Sequence, residues 1–368
     1  MHAAIAGAIA ALATYFLTPL AIRIALRAEF VDLPVGYKGH KRATPYLGGT
    51  AIVAGLLLGV ALAGGFSSHY LPIIACAVGV WLMGTLDDKL NLPIRLRLGV
   101  EIAVGVVLAR CGLGWTVFHQ GAADTILSVI WVVGVMNAFN LMDNMDGASA
   151  TTAGISSLGA GVLALMSGRA ELAPLCFATA GACLGFLPRN LANPAKIFMG
   201  DGGSLPLGLI IGAVAMSAVT RDYLGPNGVV IAALLVGMVI LDTTLVTISR
   251  SRAGRPVMSG GRDHLTHRLA LRLESPRRVA LTLAITQFGL CVITIAMARA
   301  GAGWVLLAGA ACLAFGAVLI WQFETSSWFR PDEDSASPSP EPATAADPAA
   351  STAHELNAAT AASSLALQ

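Results

Sequence analysis

The chain has 368 residues, of which 56% are hydrophobic and only 12% are charged, and its formal net charge is +2. An ordinary soluble domain carries about 25% charged residues, so a water-soluble fold could not cover this much apolar surface. The small net charge, without aromatic-basic interleaving or zinc-finger spacing, excludes nucleic acid as a partner. The composition therefore predicts an integral membrane protein surrounded by membrane lipid.

Eleven apolar runs follow one another along the chain, and a helix of roughly 17 to 25 such residues crosses a bilayer. Backbone in lipid must be fully hydrogen-bonded, and the runs lack the alternating pattern of barrel strands, so helices are predicted. The runs are Ala3 to Leu26, Tyr46 to Gly65, Tyr70 to Leu86, Leu98 to Arg110, Thr125 to Phe139, Ala148 to Met166, Leu172 to Leu187, Leu205 to Val219, Val229 to Val246, Val279 to Met297 and Trp304 to Phe323. The predicted fold is an all-α polytopic membrane protein with about 11 (10–11) transmembrane helices.

The first run, Ala3 to Leu26, has no basic stretch before it and no convincing cleavage site, so we interpret it as a retained span rather than a signal peptide. The six cysteines lie in or beside apolar runs without a CxxC pair, which is typical of small core residues. Disulfide or metal roles for them are the weaker interpretation.

Lysine and arginine orient the spans, because cytoplasmic loops retain positive charge. With the N-terminus outside and the C-terminus in the cytoplasm, eighteen of the twenty-three basic residues fall on the cytoplasmic side. Residues 1–325 are predicted to form one membrane domain. Residues 326–368 are predicted to form a disordered cytoplasmic tail, since their composition is rich in alanine, serine and proline and cannot bury a core.

Acidic residues gather on the predicted cytoplasmic loops and helix ends, where Asp87 and Asp88 are adjacent and a glycine-rich turn, Gly200 to Ser204, precedes a helix and suits an anion. A further set, Asn137, Asn140, Asp143 and Asp146, recurs every third residue and so keeps to one helical face. The carboxylates on this side are Asp87, Asp88, Asp143, Asp146, Asp201, Asp242 and Asp263. Carboxylates in one pocket repel unless a cation joins them, and hard oxygen ligands favour Mg²⁺, with Mn²⁺ as the alternative. For any single residue, an ordinary charged loop is an equally good interpretation.

The loop from Arg250 to Arg278 contains eight arginines together with His264 and His267. Alone, this pattern would indicate attraction to lipid headgroups. Beside the acidic residues, it predicts a dianionic or pyrophosphate substrate held between a metal and cations, as phosphoryl transfer requires. A zinc pair of the two histidines is a weaker alternative, because no glutamate accompanies them in a protease-like motif.

Five segments, in chain order, resemble the polyprenyl-phosphate N-acetylhexosamine-1-phosphate transferases (glycosyltransferase family 4), a superfamily that also contains the phospho-MurNAc-pentapeptide translocase. They are VDLPVGYKGHKRATPYLGG, GTLDDKLNLPIRLRL, NAFNLMDNMDGASATTAG, GFLPRNLANPAKIFMGDGGSLPLG and ILDTTLVTISRSRAGRPVMSGGRDHLTHRL. The resemblance implies transfer of HexNAc-1-phosphate, most simply GlcNAc-1-phosphate, from UDP-HexNAc to undecaprenyl or decaprenyl phosphate. UMP would leave with Mg²⁺ assistance at the cytoplasmic face of the bacterial inner membrane, initiating cell-envelope glycan synthesis.

The resemblance also implies a role for each site residue. Asp87 and Asp88 correspond to the catalytic pair, as base or as orienters of the lipid phosphate. Asp201 and Asn140 correspond to metal ligands. Nucleotide or substrate binding is implied for Asp143, Asp146, Lys38, His264, His267 and Arg268.

Four features depart from the family pattern. Asn144 stands where a glycine is usual, Ala148 replaces a usual leucine, and the stretch from Asn190 to Ala195 is one residue longer than usual. Thr266 replaces the middle histidine of HLHHRL in the loop expected to discriminate the sugar. A MurNAc-pentapeptide donor is the alternative within the same reaction. A secondary transporter is the alternative of a different class, although it should show mid-membrane carboxylates and repeated halves. A homodimer is compatible with the sequence.

Overall fold

The computed structural model describes residues 1–32, 43–219, 227–257 and 261–326, and these ranges contain thirteen α-helices. The first eight are α1 (His2–Arg27), α2 (Gly48–Ala63), α3 (Leu71–Leu90), α4 (Ile94–Arg110), α5 (Gly121–Met142), α6 (Ala148–Met166), α7 (Ala173–Asn190) and α8 (Asp201–Ala218). The other five are α9 (Gly228–Leu235), α10 (Gly237–Arg252), α11 (Leu265–Leu273), α12 (Pro276–Met297) and α13 (Ala302–Thr325). The prediction of an all-α fold is confirmed, whereas the predicted tail lies almost entirely outside the described residues.

The helices have the length and composition of membrane spans. Seven in the described ranges are long and apolar enough to cross a membrane, and there are up to eight if the bent pair α9–α10 is one span. The seven are α1, α3 with the 3₁₀ turn before it, α5, α6, α8, α12 and α13. The protein is therefore a multi-pass membrane protein. Each of the eleven predicted runs contains a helix, but α2 has only 16 residues and α4 only 17, so the eleven-span count and the orientation stay predictions.

The outer surface of the bundle is apolar where it would meet lipid. On α13, the side chains of Leu313, Phe315 and Trp321 are all exposed, although each is large and hydrophobic. In water such a face would be an unusual liability, since large contiguous apolar patches are rare on soluble monomers. It is the expected surface of a helix that contacts acyl chains.

Helix α8 forms the centre of the bundle, since every residue from Gly202 to Ala218 is buried. Helices α3 and α5 both pack along it. Gly84 of α3 permits close backbone contact, because a Cβ there would lie 2.4 Å from the carbonyl oxygen of Asp201. Small residues at such contacts let helices approach closely in a membrane. As a result, the C-terminal end of α3 is held against the first residue of α8.

The predicted run from Val229 to Val246 is broken rather than straight, because α9 and α10 meet at an angle of 79°. Gln287 of α12 is fully buried beside the break. Its Nε2 donates to the carbonyl of Leu235 (2.9 Å), and its Oε1 accepts from the N–H of Met238 (3.2 Å). Backbone groups freed by a break in lipid need such partners. One buried amide thus stabilises the bend.

A short antiparallel strand pair, Val31–Asp32 with Thr44–Pro45, fixes the chain that leads into α8. The N–H of Phe198 donates to the carbonyl of Pro45 (2.8 Å), and the N–H of Gly48 donates to the carbonyl of Phe198 (3.0 Å). These backbone bonds hold the turn before α8 against the start of α2. The position of the first residues of α8 is therefore set from two directions.

Candidate active site

Three helix ends meet at the candidate active site: the C-terminal ends of α3 and α5 and the N-terminal end of α8. They bring together most of the acidic residues singled out in the sequence. We define the acid cluster as Asp87, Asp88, Asn140, Asp143, Asp146 and Asp201. The structure gathers these residues, and the roles assigned to them individually stay predictions.

Asp88 caps α8 from a different helix. Its carboxylate accepts hydrogen bonds from the backbone N–H groups of Asp201 (2.9 Å) and Gly202 (3.1 Å). The first N–H groups of a helix lack partners within the helix and lie at the positive end of its dipole. Glycine is needed at position 200, where φ is 70° and a Cβ would lie 2.5 Å from Asp88 Oδ2. The anion site predicted at this glycine-rich turn is thus occupied by a carboxylate of the protein itself.

Arg97 of α4 lies between two carboxylates. Its Nη1 is 2.6 Å from Asp87 Oδ2 and 3.2 Å from Asp201 Oδ2. Asp87 is buried, and its Oδ1 accepts from the N–H of Leu92 (2.7 Å). By contrast, the side chains of Arg97 and Asp201 are 23% and 26% exposed. Asp87 therefore anchors the arginine, while the Arg97–Asp201 pair remains accessible from outside.

Asn140 joins α5 to α8 through its amide. Its Nδ2 donates to Asp201 Oδ1 (2.7 Å) and to Ser204 Oγ (3.1 Å). One turn earlier, Asn137 Nδ2 donates to Oε2 of the buried Glu101 on α4 (2.5 Å). The spacing of three residues keeps both amides near one face of α5. That face consequently connects α4, α5 and α8 at the site.

Asp143 and Asp146 follow the end of α5. Asp143 accepts a hydrogen bond from the backbone of Gly200, yet its pKa lies well above the ordinary value, because burial raises it and the charges of Asp201 and Asp88 raise it further. Burial also raises the pKa of Asp146 to about 6. The carboxylates around Asp143 form an excess of negative charge that a bound cation would relieve, whereas the raised pKa of Asp146 reflects burial alone.

The backbone beside Asp146 is held by Asn190 at the end of α7. Asn190 Oδ1 accepts from the N–H of Gly147 (2.6 Å), and its Nδ2 donates to the carbonyl of Ile197 (3.0 Å). Gly147 has φ of 78°, and a Cβ there would lie 2.4 Å from the side chain of Leu191. Only glycine fits this position, so the acidic loop has a defined path.

The acid cluster has the donor chemistry of a magnesium site without a preassembled set of acidic ligands. Among the described residues, no three His, Cys, Asp or Glu side chains are arranged to hold a metal ion. The side-chain oxygens of Asp201 and Asn140 are nevertheless hard donors, and Mg²⁺ commonly binds through one or two carboxylates with water and phosphate oxygens. The residues present therefore fit a divalent ion that is completed by substrate, with Arg97 as the neighbouring positive charge.

A second set of charged side chains joins α10 to α11. We define the α10–α11 cluster as Asp242, Arg250, Asp263, His264 and Arg268. Arg250 is 1% exposed and binds Asp263 through Nε (2.8 Å) and Nη2 (3.0 Å). Burial alone would raise the pKa of Asp263, but the hydrogen bonds and charge of Arg250 outweigh it and lower the pKa. This bidentate pair is fully internal.

His264 is buried within the α10–α11 cluster and is engaged through both ring nitrogens. Its Nδ1 lies 2.9 Å from Asp242 Oδ2, and its Nε2 lies 3.3 Å from Arg250 Nη2. Since arginine carries only donors, Nε2 accepts and Nδ1 donates to Asp242. The N–H of Leu265 also donates to Asp242 Oδ1 (2.7 Å). His264, predicted to bind substrate, fixes the start of α11 in this structure.

His267 is the more accessible histidine, since it is only half-buried. Burial is the main cause that lowers its pKa to about 4, and the positive charge of Arg262 contributes to the same shift. The imidazole is therefore neutral near pH 7 and offers a hydrogen bond rather than a charge.

Arg268 is almost fully buried, and its donors are already engaged. Nε donates to the carbonyl of Asp263 (3.0 Å), Nη1 to the carbonyl of Phe323 (2.6 Å), and Nη2 to Glu324 Oε1 (2.8 Å). Nη2 also donates to Ser249. The arginine predicted to bind nucleotide thus ties α11 to α10 and α13. Lys38, the remaining predicted substrate-binding residue, lies outside the described residues.

Arg97 is the site residue that sequence reasoning missed, because it was counted only as cytoplasmic charge. The sequence offers two arginines, Arg95 and Arg97, at the start of α4. Arg95 is exposed, whereas Arg97 contacts Asp87 and Asp201. The turn between α3 and α4 decides which of them reaches the carboxylates, and no spacing rule reveals that turn.

The fold and site together define a class: a multi-pass helical membrane protein with carboxylates and an accessible arginine gathered at helix ends. Comparison with known proteins narrows this class. The model of the family described as glycosyl transferase family 4 matches residues 70–219. A Bacillus subtilis (strain 168) protein named "Probable undecaprenyl-phosphate N-acetylglucosaminyl 1-phosphate transferase" is 30% identical over 306 residues, covering 80% of this chain and 85% of the relative.

Two other relatives carry names of the same kind. The decaprenyl-phosphate N-acetylglucosaminephosphotransferase of Mycolicibacterium smegmatis is 33% identical over 76% of this chain and 78% of its own length. The undecaprenyl-phosphate alpha-N-acetylglucosaminyl 1-phosphate transferase of Escherichia coli (strain K12) is 27% identical over 71% of this chain and 74% of its own length. The chain belongs to glycosyl transferase family 4, which confirms the family predicted from the five motifs.

Proposed function

We propose that the protein transfers GlcNAc-1-phosphate from UDP-GlcNAc to a polyprenyl phosphate, of undecaprenyl or decaprenyl length, and releases UMP. The names of the relatives support the lipid and the sugar phosphate. The observation that carries the proposal is the junction of α3, α4 and α8, where Arg97 and Asp201 form an accessible ion pair. An accessible arginine beside carboxylates can bind phosphate oxygens on one side and a metal-bound substrate on the other.

The reaction is a single displacement at phosphorus. An oxygen of the lipid phosphate forms a bond to the β-phosphorus of the donor, the bond from that phosphorus to the bridging oxygen breaks, and UMP leaves with the electron pair. The lipid phosphate is mostly dianionic at neutral pH, because the second pKa of a phosphate monoester is about 6. No proton has to be removed from it. The protein's task is positioning and charge neutralisation.

Magnesium belongs to this proposal, with manganese as the substitute. Asp201 and Asn140 would hold the ion, supported by their hard oxygen donors and by the hydrogen bond that keeps them adjacent (2.7 Å). When bound, the ion would neutralise phosphate oxygens. Asp143 and Asp146 would lie beside the bound ion, whose charge would offset the repulsion of Asp143 by Asp201, Asp88 and Asp146.

The catalytic pair takes two different roles in the proposal. Asp87 is buried and holds Arg97, so it acts as an orienter and not as a base. Asp88 keeps the first turn of α8 in place and lies beside the metal ligands. His267, neutral and half-buried, would donate a hydrogen bond to the sugar nucleotide.

The proposal includes eleven spans, an outside N-terminus and an active site on the cytoplasmic face of a bacterial inner membrane. The arginine and lysine asymmetry supports this orientation. Cys111, at the end of α4, is exposed and is expected on the outer side. A membrane-impermeant maleimide should therefore label Cys111 in intact cells, and the Cys111→Ser variant should lose that label. Labelling of Cys111 only after the cells are lysed would show that the proposed orientation is wrong and that the end of α4 faces the cytoplasm.

The decisive experiment incubates the purified full-length protein with UDP-GlcNAc, undecaprenyl phosphate and Mg²⁺ and follows UMP and lipid-linked product together. We expect both products in equal amounts, and none without lipid phosphate. Parallel reactions with UDP-MurNAc-pentapeptide test the alternative donor. If only UDP-MurNAc-pentapeptide gave UMP, that donor would be the substrate instead of UDP-GlcNAc. If no UDP-HexNAc gave UMP, the proposed transferase activity would be refuted. Uptake into vesicles without UMP release would instead support a transporter.

A further inference from the structure

A hydrogen bond between Asn144 and Thr266 connects the loop that carries Asp143 and Asp146 to helix α11, which carries Arg268 of the α10–α11 cluster. Thr266 Oγ1 donates to Asn144 Oδ1. Asn144 lies in the loop between α5 and α6, directly after Asp143. Thr266 is the second residue of α11, directly before His267. The two side chains therefore join the loop with the carboxylates to the helix with the accessible histidine.

Both ends of this bridge are held in place. Asn144 Nδ2 donates to the carbonyl of Leu141 (2.5 Å), which leaves its oxygen directed at Thr266. Thr266 is fully buried, and the preceding Leu265 is fixed by its N–H bond to Asp242 (2.7 Å). Because neither side chain can turn away without leaving a buried polar group unpaired, this hydrogen bond holds the α5–α6 loop at a fixed distance from α11.

The chemistry of the pair assigns it to positioning and not to catalysis. An amide and a hydroxyl carry no charge at neutral pH and cannot replace a metal ligand or an arginine. They can act through position, because Asn144 directly follows Asp143 in the chain and Thr266 directly precedes His267. A change in the length of the bridge would therefore alter the separation between these functional side chains directly.

We infer that Asn144 and Thr266 are positioning residues that set the separation between Asp143 and His267, and thereby determine how tightly the UDP-sugar donor binds. This inference rests on the proposed function. The bridge acts on the donor rather than on the lipid acceptor, because it touches neither Asp87, Asp88 nor Arg97, where the lipid phosphate would be received.

The test measures KM for each substrate, kcat and Tm for Thr266→Val, Thr266→Ser, Asn144→Ala and the double variant Asn144→Ala/Thr266→Val. Valine matches the shape of threonine but cannot donate, so Asp143 and His267 would lose their fixed separation, and we expect about a tenfold rise in KM for UDP-GlcNAc. KM for the lipid should not change. Serine retains the hydroxyl and should restore the donor KM to within about twofold. The double variant should be no worse than either single change, because the two residues act through one contact.

Thr282→Val is the matched control and should behave as wild type, because Thr282 is a half-buried residue of α12 whose hydroxyl donates to the carbonyl of Arg278 in the same helix (3.0 Å). An unchanged donor KM in Thr266→Val would overturn the inference, as would equal increases for both substrates or additive effects in the double variant. A lower Tm with normal KM values would also overturn the inference, because the hydrogen bond would then only stabilise the fold. If wild-type protein releases no UMP, the proposed function itself fails and the inference fails with it, which the wild-type reaction shows before any variant is compared.

Discussion

The acid cluster and the α10–α11 cluster are both rich in charge but treat it in opposite ways. In the α10–α11 cluster, Arg250 and Asp263 are buried and matched in a bidentate pair. In the acid cluster, the carboxylates outnumber the cation Arg97, which pairs with Asp87 and Asp201. One region has a nearly complete internal balance of charge, whereas the other keeps a negative excess.

This difference separates structural charge from functional charge. A buried pair that is fully hydrogen-bonded costs much to break but offers little to a ligand. At Asp143, by contrast, a cation would relieve the repulsion from Asp201, Asp88 and Asp146. Substitutions of Asp143, Asp146 and Asp201 should therefore reduce turnover with little loss of stability, whereas those in the α10–α11 cluster should do the reverse.

The largest effect on turnover is expected for Asp201→Asn. The amide keeps an acceptor for Asn140 but loses the charge that would hold the metal, so kcat should fall by about 10²–10³-fold. UMP release over a range of Mg²⁺ concentrations measures this, with Tm as the check on folding. Glu171→Gln, an exposed carboxylate between α6 and α7, is the matched control. Wild-type turnover of Asp201→Asn at every Mg²⁺ concentration would remove the metal from the proposal.

Arg97→Ala should have the next largest effect. Without the guanidinium, Asp87 and Asp201 face each other unneutralised, and the phosphate loses its cation. We expect kcat to fall by about 100-fold and Arg97→Lys to recover part of it, because lysine keeps the charge but not the fork. Arg95→Ala changes an exposed arginine on the same helix and should leave kcat unchanged. Equal losses for Arg95 and Arg97 would mean that general surface charge, not the ion pair, is responsible.

Much of this architecture could be predicted from sequence, because apolar runs and charge asymmetry are local signals. The sequence predicted Asp87, Asp88 and Asp201 on one side of the bundle, and the structure brings these three residues together; that this side faces water stays a prediction. The distribution of roles could not be predicted in the same way. Arg97 and Arg268 are both arginines on segments predicted to be cytoplasmic, yet Arg97 pairs with the accessible Asp201 and Arg268 is buried between helices. Tertiary packing decides between them.

Two of the departures from the family motifs, Asn144 and Thr266, illustrate the same limit. Asn144 and Thr266 are 122 positions apart in sequence and looked like independent changes. In the structure, their side chains form a hydrogen bond. A single sequence carries no signal for such a contact, since pairing across that distance depends on where α11 packs.

Arg268→Ala tests the same comparison in the α10–α11 cluster, where we expect a loss of stability without a loss of turnover. Removing the guanidinium deletes the hydrogen bonds that tie α11 to the carbonyl of Phe323 and to Glu324 on α13. We expect Tm to fall by about 5 °C, while kcat per folded molecule and the donor KM stay close to wild type. Arg278→Ala, an exposed arginine at the start of α12, should not change Tm. A raised donor KM at normal Tm would return Arg268 to the substrate-binding role predicted from the sequence.

The smallest expected effect concerns Asp146 and pH. Burial raises its pKa from the ordinary 3.8 to about 6, so the folded protein binds this proton more tightly than the unfolded chain does. Stability from this group is complete below pH 3.8 and is lost as pH rises to about 6, after which the ionised carboxylate remains a constant cost. Asp146→Asn removes that cost and should raise Tm by about 2–4 °C at pH 8 while leaving it nearly unchanged at pH 4. The same substitution should weaken binding of Mg²⁺ with UDP-GlcNAc, because the negative excess of the acid cluster is reduced. If Tm at pH 8 fell instead, Asp146 would be a stabilising charge like those of the α10–α11 cluster, and the division between the two regions would not hold at this residue.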